Sequence, residues 1–194
     1  MAIRGIIFDM DGTLTAPDLE FAKIKQAAGI GDVDLLDYLR IATGQEYLRV
    51  HKLLMRFEAG GVASARLNRG ARTVLRYLAQ HRFPTALLTR NSRKSVAGVC
   101  EKLKLKFDLI ITREDGPHKP APEPIWRIAK QWQMRRAELL MVGDYKWDLL
   151  CADNAGIPCA VLLNGAPLPE WAARARYHWQ RLPELIELLE GQRK

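Results

Sequence analysis

The stretch Ile3-Arg4-Gly5-Ile6-Ile7-Phe8-Asp9-Met10-Asp11-Gly12-Thr13-Leu14-Thr15 decides the fold. A short apolar run dense in isoleucine halts abruptly at two aspartates and a glycine. That is the pattern of a strand buried on both faces and feeding a loop, as in a parallel sheet. Similar runs recur at Pro84 to Leu88 before Thr89, at Leu109 to Thr112 before an acidic, Pro-rich loop, and at Leu139 to Val142 before Gly143 and Asp144; a fifth strand is expected near Cys159 to Leu163. Between them apolar residues follow helical spacing: Ala71, Val74, Leu75 and Leu78; Val96, Val99, Cys100 and Leu103; Ile125, Ile128, Ala129 and Trp132. Ser92 suits a helix N-cap, Pro122 or Pro124 a first turn, and Gly156 the close of a helix begun near Lys146. A last helix is expected around Pro183 to Leu189, with Arg193 and Lys194 frayed. Strands alternating with single amphipathic helices predict an α/β domain, a doubly wound parallel sheet of Rossmann-like form.

Residues 16–68 break the alternation. Leu35, Leu36 and Leu39, then Tyr47, Val50, Leu53, Leu54 and Phe57, carry helical spacing with no convincing strand. The expected organisation is a core of residues 1–15 and 69–194 with a small helical cap, 16–68, inserted after the first strand. Gly29, Gly31 and Gly44 are expected breaks, and Gly60 with Gly61 a loosened return to the core. Arg40, Arg49, His51, Lys52 and Arg56 are the insertion's candidates for gripping an anion.

With 194 residues and 48% hydrophobic content the chain can bury a continuous core. No apolar run approaches the ~20 residues of a membrane span, and acidic residues stand where a signal peptide would continue its apolar stretch. The expectation is a protein of the cytoplasm without a membrane partner. Cys100, Cys151 and Cys159 lack the spacing of a disulfide framework or a zinc site. The +8 charge favours anionic partners, but its basic residues are scattered without interleaved aromatics, so nucleic acid is not the expected partner. Oligomeric state is not legible.

In an open α/β sheet, ligands bind beyond the carboxyl ends of the strands, where Asp9, Asp11, Thr89, Lys119 and Asp144 all fall. Clustered carboxylates repel one another and would repel a phosphate; a hard divalent cation resolves both conflicts. Magnesium is therefore the expected cofactor, with Asp9, Asp144 and a main-chain carbonyl near Asp11 as its ligands. Lys119 adds a second positive charge. An Asp9 oxygen could then attack phosphorus to form an aspartyl-phosphate, with Asp11 as acid and base. Thr89 could bond a phosphate oxygen, and the amides of Arg90 and Asn91 precede a helix amino terminus, a suitable place for an anion.

Asp9-Met10-Asp11-Gly12-Thr13-Leu14-Thr15, Thr89, Lys119-Pro120 and Gly143-Asp144-Tyr145-Lys146-Trp147-Asp148 resemble, in order, the four motifs of the haloacid dehalogenase-like (HAD) hydrolases. The resemblance runs from Ile3 to about Leu163. It implies a Rossmann-like core with a helical cap, magnesium dependence, and the roles above, with Asp148 supporting the site by orienting Lys119 or a metal-bound water and Thr13 belonging to the first motif. Asp11 argues against dehalogenation, since true dehalogenases lack an acid there. LLTRN (87–91), HKPAPEP (118–124) and GDYKWDLLCADNAG (143–156) are most similar to the phosphoglycolate phosphatase-like branch, although the insertion is shorter than that branch's usual cap. The implied activity is hydrolysis of a small phosphorylated metabolite. The alternatives are a sugar phosphomutase, which would return the phosphate to a sugar hydroxyl, and a noncatalytic regulatory or nucleic-acid-binding protein.

Overall fold

A computed structural model describes residues 2–17, 20–31 and 33–192, with the main chain only at residues 20–22. Arg193 and Lys194, read above as a frayed end, lie outside the described residues. Six parallel strands form one sheet: β1 (Gly5–Phe8), β2 (Thr85–Leu88), β3 (Leu109–Ile111), β4 (Leu139–Gly143), β5 (Cys159–Leu162) and β6 (Tyr177–Trp179), in the order β3-β2-β1-β4-β5-β6. The strand carrying the two aspartates is interior, paired with β2 (Ile7 opposite Ala86) on one side and β4 (Ile7 opposite Met141) on the other.

Alternation along the strands divides the core in two. Ile6 and Phe8 face one layer with Leu87, Leu140 and Val142, covered by α4 (Ala71–Gln80), α5 (Arg93–Leu103) and α8 (Glu184–Gly191). Ile7 faces the other with Ala86, Leu88 and Met141, covered by α6 (Glu123–Trp132) and α7 (Lys146–Ala155). The Rossmann-like doubly wound reading is thereby met. Ser92 caps α5 by accepting from Ser95 N, and Gly156 ends α7 at φ 72°, a left-handed position that costs glycine no steric strain.

Three helices, α1 (Glu20–Ala28), α2 (Leu35–Ile41) and α3 (Gly44–Ser64), lie between β1 and α4 and bury their own apolar cluster of Ile24, Ala28, Ile30, Leu35, Val50 and Leu54. The chain leaves the sheet and returns to it side by side: Thr15 and Leu67 form an antiparallel bridge, Ala16 N donates to Arg66 O at 2.9 Å, and Asn68 N donates to Leu14 O at 2.9 Å.

Two expectations need correction. Gly60 and Gly61 do not loosen the return to the core; both lie inside α3, whose burial of Val50 and Leu54 carries the helix through them. The sixth strand was not foreseen, because Tyr177–Trp179 is three residues with an exposed His178 at its centre, too short to show a period.

Candidate active site

The loop after β1 turns sharply. Asp9 N donates to Val142 O at 2.9 Å, and Thr15 N reaches back to Met10 O at 2.9 Å. Gly12 makes the turn possible twice over: its φ is +73°, and a Cβ there would stand 1.9 Å from Asp144 Oδ2. Its carbonyl accepts from Asn68 Nδ2 at 3.0 Å and Asn164 Nδ2 at 2.7 Å, which pins the loop to both flanks.

Around this loop the carboxyl ends of three strands and the Lys119 loop converge. Lys119, 3% exposed, donates from Nζ to Asp9 Oδ1 and to Asp148 Oδ1, each at 2.5 Å. Asp148 accepts Tyr145 N at its other oxygen, 3.0 Å, so the first turn of α7 fixes it. Gly143 leaves the space, since a Cβ there would meet Asp148 Cγ at 2.3 Å. Thr13 Oγ1 donates to Asp144 Oδ1 at 3.1 Å. Asp9, Asp144 and Asp148 each offer an oxygen within 4.8 Å of the others.

Three carboxylates against one lysine leave an excess of negative charge. Burial pushes the Asp9 carboxyl up to about 7; Lys119 opposes this, while the charges of Asp148 and Asp11 add to it. Asp144 is pushed up to about 8, again by burial first and then by Asp9 and Asp148. Burial alone would lower Lys119, but Asp148 and Asp9 outweigh it and hold the ammonium above the ordinary lysine range. An all-oxygen cluster with uncompensated charge has the donor chemistry of a hard divalent cation.

Asp11 faces another way. Its carboxyl accepts from Asn91 Nδ2 at 2.5 Å and Thr15 Oγ1 at 3.4 Å, and burial raises its pKa against the pull of Asn91. It is not among the clustered oxygens, so any share in a cation site falls to its main chain, as the sequence reading had it. Thr89 follows β2, buried, and its Oγ1 accepts Asn91 N at 3.2 Å; that amide is thus engaged within the loop. The Arg90 guanidinium turns from the carboxylates, pairs with Asp34 at the start of α2 (Nη1 to Oδ2, 3.0 Å) and lies 5.4 Å over the Trp147 ring.

The insertion meets this loop through acids, where basic residues had been the candidates. Arg40 pairs with Asp37 and Arg49 with Glu46, within the insertion itself, and Lys52 and Arg56 are exposed. Glu58 of α3, buried, instead accepts Ser92 Oγ at 2.5 Å, Ser92 N at 3.3 Å and the Arg113 guanidinium. A signal for it existed: Val50, Leu54 and Glu58 recur every four residues, which puts an acid on the buried stripe. Beside Asp11, where α1 and α3 meet the core, lies a cavity of about 170 Å³.

Comparison with known proteins identifies the family. The sequence profile of the family described as haloacid dehalogenase-like hydrolase matches residues 15–162. An uncharacterized hydrolase of Saccharomyces cerevisiae is 30% identical over 203 aligned residues, covering 99% of this chain and 93% of its own. A phosphoglycolate phosphatase of Photorhabdus laumondii is 30% identical, covering 84% and 81%. A hydrolase of Pseudomonas syringae, 23% identical, shares the fold with a TM-score of 0.78 over 97% of this chain and 98% of that one.

Proposed function

The chain belongs to the haloacid dehalogenase-like hydrolases and is an enzyme of that superfamily's phosphatase type, and on this premise we propose that it hydrolyses a small phosphomonoester with Asp9 as covalent nucleophile. The observation that carries the reading is the buried Lys119 held between Asp9 and Asp148, with Asp144 alongside and Asp11 turned to Asn91.

Lys119 occupies Asp9 Oδ1 and so leaves the second oxygen as the attacking one. That oxygen bonds to phosphorus as the bond from phosphorus to the leaving oxygen breaks. The leaving oxygen takes a proton from Asp11, whose carboxyl burial raises above the ordinary carboxylate range. Water then attacks the aspartyl-phosphate, its proton returns to Asp11, and phosphate departs with Asp9 restored. Thr89 and the Arg90 and Asn91 main chain border the phosphate, Lys119 neutralises its charge, and Asp148 keeps Lys119 aimed. Asp9 and Asp144, with main chain at Asp11, would hold magnesium, which supplies the positive charge that lets one anion approach another. Thr13 steadies Asp144. The insertion, as a cap, excludes bulk water.

The test is phosphate release from a panel of small phosphomonoesters with magnesium, repeated with EDTA and with Asp9→Asn. Release that needs both the metal and Asp9 is expected. Turnover by Asp9→Asn near that of the unaltered protein would remove Asp9 from the chemistry. Oxygen label from water is expected in the released phosphate; its absence would favour transfer to a sugar hydroxyl.

A further inference from the structure

The cavity beside Asp11 limits what the phosphate can be attached to. If Asp11 protonates the leaving oxygen, the rest of the leaving group extends from Asp11 into the space between the insertion and α5. That space measures about 170 Å³. A cavity of about 150 Å³ lined by aliphatic and aromatic side chains holds one benzene, so this one accommodates about six to eight non-hydrogen atoms. Its walls are mainly apolar: Ile24, Leu54, Phe57 and Val99 contribute from three helices.

Charge narrows the choice further. Two acids, Asp11 and Glu58, line the space, and Glu58 is buried. The cation that balances Glu58, Arg113, is not on the lining. Arg66 is the one cation among the described lining residues, and it is exposed to solvent. An anionic leaving group would therefore be desolvated beside the Glu58 carboxylate, with no buried cation on the described lining to receive it, an arrangement that costs binding. A neutral group meets apolar walls, with Ser95 and Asn91 for a hydroxyl.

We infer that the substrate is a phosphomonoester whose leaving group is compact, uncharged and largely apolar, with Glu58 as the residue that discriminates against carboxylate-bearing esters. This rests on the phosphatase reading above and divides the chain from the phosphoglycolate phosphatases it resembles in sequence. Gly61 supplies an independent handle on size: it lines the cavity, and a Cβ built on it meets nothing within 4 Å, so a larger side chain has room to enter.

The experiment compares kcat/KM for 2-phosphoglycolate, its neutral amide isostere, phenyl phosphate and 2-naphthyl phosphate with magnesium present. We expect the amide to exceed the carboxylate, and phenyl to exceed naphthyl, each by at least about tenfold, a discrimination of about 1.4 kcal/mol. Glu58→Gln should narrow the amide-to-carboxylate ratio, a comparison in which the intrinsic reactivity of the two esters cancels. Gly61→Leu should lower the phenyl-to-amide ratio by filling the space, and it keeps the size argument testable should Glu58→Gln not fold. A preference for the carboxylate, equal use of naphthyl and phenyl esters, or ratios that neither variant moves would overturn the inference while leaving the phosphatase reading intact. Release from none of the four esters would instead fail that reading, and this inference with it.

Discussion

Replacing Asp148 by asparagine removes one charge from a buried pair and nearly nothing from the volume. The Asp148 side chain is 1% exposed and that of Lys119 3%. Removing one partner of such a pair costs about 3–5 kcal/mol, because the remaining charge stays buried. The amide oxygen can still accept one of the two bonds that the carboxylate takes, from Lys119 Nζ and Tyr145 N, and the loss of repulsion relieves Asp9 and Asp144. Both effects place the cost at the lower end, about 3 kcal/mol. For a chain of 194 residues each kcal/mol moves Tm by about 2–4 °C, so a fall of about 6–12 °C is expected near pH 7 without divalent metal. Thermal melts followed by circular dichroism measure it. The sharper assay is the double-mutant cycle with Lys119→Met: the pair of substitutions should cost at least about 2 kcal/mol less than the sum of the singles, since sites that do not interact add to within about 0.5 kcal/mol. Additivity within that margin would refute the claim that Asp148 acts through Lys119.

Other outcomes follow from the same geometry. The ordinary carboxyl value of 3.8 becomes about 7 for Asp9 and about 8 for Asp144 in the folded chain. The fold keeps protons that the unfolded chain releases near pH 4, so these groups contribute stability at low pH that is lost as pH rises through about 7–8. A divalent cation needs both deprotonated; the Tm increase on adding magnesium should therefore be larger at about pH 8.5 than at about pH 5.5, and an equal increase at both would count against these two as its ligands. Gly12→Ala forces a Cβ into Asp144 and a left-handed φ onto alanine, and titration calorimetry should show magnesium affinity reduced at least about tenfold; unchanged affinity would mean the loop relaxes freely. Asp34→Ala removes both the cap of α2 and the partner of Arg90. Hydrogen exchange should rise in α2, whose cap is worth about 1 kcal/mol, while protection in β1 and β4 stays; loss of protection throughout would place Asp34 in the global core instead.

The parallel sheet was legible because buried parallel strands read as apolar runs, and β1, β2, β4 and β5 are short runs that end in polar loops at the same rim. β6 escaped because three residues carry no period, and it is held by pairing with β5 (Val161 opposite His178) more than by its own composition. The line-up of Asp9, Thr89, Lys119 and Asp144 could be placed from strand ends alone, whereas the direction of each side chain could not. Asp11 turns to Asn91 while Asp9 turns to Lys119, in a loop whose turn at Gly12, the residue after Asp11, takes a positive φ. The burial of Glu58 was legible from the stripe it shares with Val50 and Leu54, but its contacts were not. Its partners, Ser92 and Arg113, lie 34 and 55 residues away, and no local pattern encodes a contact of that range.

The antiparallel bridge between Thr15 and Leu67 stitches together the two segments that join the insertion to the sheet. Any swing of α1, α2 and α3 against the sheet would twist the residues beside that stitch and break the contacts of Asp34 with Arg90 and of Glu58 with Ser92 and Arg113. The same stitch runs through Leu14 and Asn68, and Asn68 also holds the Gly12 carbonyl. A displacement of the insertion would thus pull on the turn at Gly12, so that the placing of its helices and the aim of the carboxylates would share one linkage.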